Sequence, residues 1–327
     1  VVLLVVVVAL GLAFDFTNGF HDTANYVATW VGTRALSPRP AVLVSAAANL
    51  AGAFVTTAVA TTVATGIIDT NLATEQTILA ALFGAIAWNL LTWRVGLPSS
   101  STHALIGGLV GAALVQSGVQ GVQWSGLWHK VIVPGAASPV IGFAAAFLLL
   151  VVIYRLFHRL GPGNANRGFR SGQLLSGTWL AFTHGANDAQ KTMGVIALAL
   201  YAHGSISSFY IPTWVKLAAG LTIAAGTYVG GWRIIRTLGQ RIYGLQPEHG
   251  FAAQLAAGTT LYAGTRLGFP ISTTHVVSGS VMGAGATRRL SAVRWGVAGN
   301  IVVAWLLTLP AAALTAAALY YPVSWIF

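Results

Sequence analysis

The sequence predicts an all-α polytopic membrane protein of two inverted-topology repeats, each with three spans plus a re-entrant helical hairpin, and broken helices at the midplane. Three observations carry this reading. The 327 residues are 56% hydrophobic and only 7% charged, with a mean hydropathy of +0.74, whereas a soluble domain carries about 25% charged residues. Apolar runs of roughly 20 residues, long enough to cross a bilayer, recur along the whole chain. Two polar motifs also appear twice, in the same order. Arg94, Gly96, Pro98, Ser100, Thr102 and His103 return as Arg266, Gly268, Pro270, Ser272, Thr274 and His275, and the segment Gly19 to Asp22 returns as Gly185 to Asp188. Such self-similarity marks a duplicated architecture.

Repeat 1 is expected at 1–160, with spans at about 1–33, 40–67 and 131–156 and a hairpin at about 76–116, whose arms are joined by "GLPSSST". Repeat 2 is expected at 161–327, with spans at about 172–200, 213–238 and 293–320 and a hairpin at about 249–286, joined by "GFPISTT". The opening "VVLLVVVVALGLAF" has no basic n-region and no small-residue cleavage pattern, and is expected to belong to the first span rather than to a leader. Three crossings per repeat is an odd number, so the second half inverts. If the first span ends inside, Arg34, Arg39, Arg155, Arg159, Arg167, Arg170, Arg233, Arg236, Arg241, Arg288, Arg289 and Arg294 share that side. Only Lys130 and Lys216 fall on the other, a strong positive-inside bias. Counting each hairpin as two crossings leaves these assignments unchanged, so re-entrance rests on the broken tips. The expected place is the cell (cytoplasmic) membrane, multi-pass, with both termini extracytoplasmic. Lipid is the expected surrounding and homo-oligomerisation is left open. Nucleic acid is excluded despite the net charge of +11, because most basic residues sit in short gaps between apolar runs. Without cysteine there is no disulfide framework, thiolate metal site or thiol nucleophile.

At each hairpin tip, Gly96 or Gly268 suits the left-handed turn that ends a helix, and the proline two residues on prevents continuation. Serine and threonine follow, suited to cap the returning half-helix. That half-helix aims free N–H groups and a positive dipole end at the tip. Broken backbone at this depth requires surrounding protein or a watery cavity. Backbone amides plus the hydroxyls of Ser100, Ser101, Thr102, Ser272, Thr273 and Thr274 make a donor set for an oxyanion. His103 and His275 are candidates for tip support or a proton relay. Arg94 and Arg266, one turn before their tips, are expected to bond the last carbonyls of their arms or lend positive potential.

"FTNGFHDTANYVAT" (16–29) and "FTHGANDAQKTMG" (182–194) lie near the middle of their spans. An aspartate at that depth costs on the order of 3 kcal/mol on insertion scales, which makes Asp22 and Asp188 functional candidates. The glycine and asparagine beside each predict local unwinding, with freed carbonyls for a cation. Asp15, two turns before Asp22, has no counterpart in the second half and stays unassigned. Two carboxylates about 5 Å apart repel by roughly 3 kcal/mol at an effective dielectric near 20. An oxyanion beside them therefore requires positive charge. Lys191 supplies one; co-bound cations or protons supply the rest, which is the physical basis of symport.

With both motif pairs in view, the chain resembles the PiT family of inorganic phosphate transporters, which carry a Gly-Ala-Asn-Asp signature in each half and a Pro-x-Ser-Thr-Thr-His element further on. Here these stand as "NGFHDTAN" and "HGANDAQK", then "LPSSSTHA" and "FPISTTHV". The resemblance covers nearly the whole chain. It implies an inverted-repeat fold, phosphate as substrate and coupling to Na⁺ or H⁺, with no enzymatic activity and no resident cofactor. It assigns Asp22, Asn25, Asn187 and Asp188 to the ions and the six tip hydroxyls to phosphate, beside Lys191. Two departures matter. His21 replaces the usual Asn before Asp22, and joins the cation or proton group. The second signature continues Asp188-Ala-Gln-Lys191 instead of Asp-Val-Ala-Asn, which resembles the bacterial branch described as proton-coupled. An ammonium there can occupy the space of a sodium ion, so loss of at least one Na⁺ site is expected. That branch is also linked to metal–phosphate, so Mg²⁺ or another divalent cation travelling with phosphate is kept in view. His21, His103, His184 and His275 lie beside the motifs, but no metal site is assigned. The rivals are a Na⁺-coupled phosphate symporter, a symporter for another tetrahedral oxyanion such as sulfate or arsenate, and an ion channel. An intramembrane metal enzyme is disfavoured, since no HExxH is present.

Overall fold

A computed structural model describes residues 1–159, 161–230 and 245–327. The described residues are almost entirely helical, and their only β pairing is an isolated antiparallel bridge between Ile68 and Val122. The first half comprises α1 (Val2–Gly32), α2 (Pro38–Gly52), α3 (Ala58–Thr65), α4 (Glu75–Val95), α5 (Ser101–Ser117) and α6 (Trp124–Phe157). The second comprises α7 (Pro162–Ala202), α8 (Thr213–Val229), α9 (Pro247–Arg266), α10 (Thr273–Ala286) and α11 (Trp295–Ile326). Among the described residues, α1, α4, α5 with its short extension, α6 and α11 are long and apolar enough to cross a membrane. Outward-facing leucines and valines such as Val140, Leu148, Leu306 and Leu314 are more than half exposed, as expected of a surface whose solvent is lipid.

The segments expected as hairpins, about 76–116 and 249–286, fold as the helix pairs α4–α5 and α9–α10. The expected second span at 40–67 is instead split into α2 and α3, with residues 53–57 non-helical. The reason is tertiary. Gln190 of α7 places its Oε1 on the N–H groups of Val59 (2.9 Å) and Ala60 (3.2 Å), so a side chain from another helix caps the first turn of α3. The expected end of the fifth span, with Arg233, Arg236 and Arg241, lies outside the described residues.

The helices pack crosswise. Both arms of the first hairpin lie against α11, and both arms of the second against α6. Glycines set these contacts at matched positions. A Cβ on Gly107 or Gly111 would strike the carbonyl oxygen of Leu309 or Ala313 on α11; one on Gly279 or Gly283 would strike that of Pro139 or Phe143 on α6. Small residues letting backbones touch is how helices associate where lipid removes the hydrophobic drive.

Neither aspartate motif is unwound: α1 and α7 run helical through 16–29 and 182–194. The expectation of freed carbonyls is therefore wrong, and packing explains the glycines. A Cβ on Gly19 would come 2.5 Å from the carbonyl oxygen of Ile223 on α8, and one on Gly185 would strike that of Asn49 on α2. The missing side chain permits close approach without breaking the helix.

Candidate functional site

Each tip is built from local signals. Gly96 adopts φ 71° and Gly268 φ 73°. The N–H groups of Gly96 and Leu97 then close onto Trp93 O and Thr92 O at 3.1 and 2.9 Å, and those of Gly268 and Phe269 onto Thr265 O and Gly264 O at 3.1 and 2.8 Å. These are matched Schellman caps. After the proline, the Ser100 hydroxyl accepts from His103 N–H (3.1 Å) and that of Ser272 from His275 N–H (3.3 Å), capping α5 and α10. The N–H groups at positions 101, 102, 273 and 274 lie in the buried first turns of their helices, where the dipole favours an anion.

The two tips meet. Thr102 Oγ1 donates to Ile271 O across the gap (3.4 Å), and His103 lies edge-on to His275 with ring centroids 4.8 Å apart. His275 stacks on Trp305 at 4.0 Å. α1 and α7 close the sides. Thr273 Oγ1 donates to Asp188 Oδ1 (3.3 Å), Thr274 Oγ1 to Asp22 Oδ1 (3.5 Å), and Asn25 Nδ2 to Thr274 Oγ1 (3.1 Å). Lys191 Nζ pairs with Asp188 Oδ1 at 2.6 Å, donates to Thr102 Oγ1 and reaches Ile271 O at 3.5 Å. Asn18 Nδ2 donates to Asp188 Oδ2 (3.1 Å). Asp22, Asp188, Lys191 and the tip hydroxyls are all at most 2% exposed. The cluster is sealed from both sides.

The larger cavities lie elsewhere. A crevice of about 520 Å³ between α4 and α11 is lined by Trp88, Thr92, Leu97 and Val303, and one of about 320 Å³ between α6 and α9 by Val133, Ala137, Phe269 and Ile271. They reach the two tips from outside at matched places. Their mostly apolar walls suit acyl chains.

Sequence comparison decides the family. Residues 18–163 and 158–316 each match the phosphate transporter family. A relative from Rhizobium meliloti (strain 1021), named a probable low-affinity inorganic phosphate transporter, is 50% identical across 98% of this chain and 96% of its own. One of the same name from Bacillus subtilis (strain 168) is 41% identical, covering 100% and 98%. The chain belongs to the phosphate transporter family. A solved structure titled as the sodium-dependent phosphate transporter superposes with a TM-score of 0.93 at 27% identity, covering 100% of both chains. As a family member with several membrane-capable helices, the chain is a multi-pass membrane protein and not an enzyme.

Within this transporter fold most residues singled out by sequence converge. Thr102, Thr273, Thr274, Lys191, Asp22, Asn25 and Asp188 are joined by direct hydrogen bonds and one ion pair. Ser100 and Ser272 cap their helices, and the buried Ser101 hydroxyl has no partner among the described residues. His21 holds Asp22 Oδ1 through Nδ1 (2.8 Å) and faces Thr92 Oγ1 with Nε2 (3.3 Å). Asn187 donates through Nδ2 to Thr265 Oγ1 (2.9 Å) and Phe269 O (3.2 Å), bracing the end of α9, and leaves its buried Oδ1 without a partner among the described residues. Arg94 and Arg266 have exposed side chains on the last turns of α4 and α9. The arm ends are closed by backbone amides, and neither arginine enters the cluster. His184 was noted by sequence only as motif-adjacent, yet it is central. Its Nδ1 donates to Asn49 Oδ1 (2.6 Å), and its Nε2 lies 3.7 Å from Asp22 Oδ2 and 3.5 Å from Asp188 Oδ2. With Nδ1 donating to Asn49, Nε2 stands between two carboxylates, where a positive charge would screen their repulsion. Its signal in the sequence was its spacing: four residues before Asp188, one turn away on the same face.

Proposed function

We propose that the chain is a secondary active transporter that imports inorganic phosphate across the cytoplasmic membrane by cation symport, with H⁺ as coupling ion, through alternating access of two inverted repeats. One observation carries the reading: two matched, capped helix N-termini face each other inside the protein, and buried aspartates, a lysine and a histidine adjoin them. Phosphate is placed between the tips, bonded by amides at 101, 102, 273 and 274 and by the Ser101 hydroxyl, unpartnered among the described residues. The hydroxyls of Thr102, Thr273 and Thr274 turn to it from Ile271 O, Asp188 and Asp22, with Lys191 as fixed countercharge. Because the cluster is sealed, entry and exit on opposite faces require the hairpins to move against α1 and α7. The crosswise packing of each hairpin on the other half's last span supports an exchange of roles between halves. His103 and His275 brace the tips against each other.

The preference for H⁺ over Na⁺ rests on Lys191. Its ammonium already compensates Asp188 and bonds Thr102 and the Ile271 carbonyl, the type of oxygen set that a sodium ion would use. A second reading has its own support: one ligand atom each from Asp22, His184 and Asp188 lies within 4.8 Å of the others, a spacing suited to a divalent cation accompanying phosphate. The positive-inside bias supports extracytoplasmic termini.

The test is phosphate uptake into proteoliposomes with pH, Na⁺ and Mg²⁺ gradients imposed separately. The reading expects accumulation driven by an inward proton gradient with choline replacing Na⁺. Accumulation that requires Na⁺ at every pH refutes the choice of coupling ion. Failure of phosphate, but not sulfate, to accumulate refutes the substrate.

A further inference from the structure

Asp15 is a buried carboxylate that the scheme above does not use. It is 0% exposed on α1, two turns, or about 10 Å, N-terminal to Asp22. Among the described residues neither of its oxygens has a hydrogen-bond partner. Thr192 of α7 is the polar side chain facing it, but the two fall short of hydrogen-bond geometry, and Thr192 Oγ1 is itself unpartnered. One turn along α1, Asn18 gives its Nδ2 to Asp188 and leaves Oδ1 without a donor. The charged groups that act on Asp15 from α7 are Asp188, His184 and Lys191, and the last two are committed elsewhere. Lys191 Nζ is held by Asp188, Thr102 and Ile271 O, and His184 by Asn49 between Asp22 and Asp188.

An ionised carboxylate left bare at this depth costs several kcal/mol, so the geometry requires one positive charge on Asp15. We propose that Asp15, Asn18 Oδ1 and Thr192 Oγ1 form a separate monovalent-cation site that carries the coupling ion. The donor set is oxygen only and holds one carboxylate, which suits a hard singly charged ion, H⁺ or Na⁺, over a divalent metal. With the termini outside, the site stands on the outer side of the Asp22 level. Asn18 links it directly to Asp188, so its occupancy is coupled to the phosphate cluster. The second repeat has no equivalent of Asp15, so the site is asymmetric. The proposal rests on the symport reading above.

The test uses the full-length wild-type, D15N and T192V proteins in proteoliposomes, with labelled phosphate and separate inward pH and Na⁺ gradients. One coupled proton supports about tenfold accumulation per pH unit. Wild-type vesicles should accumulate phosphate on one of the two gradients. D15N should equilibrate phosphate without accumulating it on that same gradient, and T192V should need a higher concentration of that cation. Loss of the pH-driven component assigns the proton, and loss of the Na⁺-driven component assigns sodium; either supports the site. Wild-type accumulation by D15N overturns it. If D15N does not even equilibrate phosphate, T192V alone decides, and a wild-type cation dependence in T192V overturns the site. If wild-type vesicles respond to neither gradient, the symport reading fails, an outcome distinct from failure at Asp15.

Discussion

Replacing Lys191 by methionine keeps the apolar stem and deletes the charge. At 2.6 Å from Asp188 Oδ1 and an effective dielectric near 20, the attraction removed is roughly 6 kcal/mol. The variant no longer desolvates an ammonium, which returns part of that. The net cost should be about 3–5 kcal/mol, as when one partner of a buried ion pair is lost. Bonds to Thr102 and the Ile271 carbonyl go as well, so the tips loosen. Thermal unfolding of detergent-purified protein at pH 8, in choline chloride and in NaCl, reads the effect. K191M should unfold at a markedly lower temperature than wild type in choline. Lys191→Asn offers an amide oxygen beside the freed Asp188, and should regain stability in NaCl by about 2.7 kcal/mol at a hundred times the dissociation constant. Wild type should be indifferent to the choice of salt cation at this position. If K191M unfolds like wild type in choline, or K191N shows no sodium dependence, the ammonium is not standing in for a bound ion.

Thr102→Val with Thr274→Val removes two tip hydroxyls while keeping shape; each hydrogen bond to a charged group is worth about 1.5–3 kcal/mol, so the phosphate concentration for half-maximal uptake should rise at least tenfold in initial-rate assays. Gln190→Leu strips the cap from α3, which should lower stability by about 1–2 kcal/mol in thermal unfolding, with phosphate affinity little altered. Gly283→Val forces a side chain onto the Phe143 carbonyl, and should cut the yield of folded protein in size-exclusion profiles far more than the same change at the open Gly299. Glu75→Gln, at a largely buried pair with His203 (2.5 Å) near the end of α7, should cost about 1.5–3 kcal/mol in the same unfolding assay.

The tips were legible because every signal in them is local: a glycine for φ > 0, a proline that stops the helix, a serine three residues before the N–H it caps. The duplication told that both copies matter. What escaped depends on partners far along the chain. Gly19 and Gly185 read as helix breakers beside an aspartate, but their use is contact with Ile223 and Asn49, which no local pattern announces. The break after α2 falls in "AFVTT", which contains neither glycine nor proline, and it is held by Gln190, about 130 residues away. His184 and Asp15 were visible as residue types, but only the antiparallel packing of α1 on α7 sets one between two carboxylates and leaves the other without a partner. Nearness of Arg94 and Arg266 to a tip in sequence likewise says nothing about which face of α4 or α9 carries them.

A phosphate-soaked structure tests the centre of the account most directly. Tetrahedral density is expected between residues 100–102 and 272–274, within hydrogen-bond distance of the amides of Thr102 and Thr274 and next to Lys191. Phosphate bound in either apolar crevice, or at an outer loop with the facing tips unchanged, would contradict it.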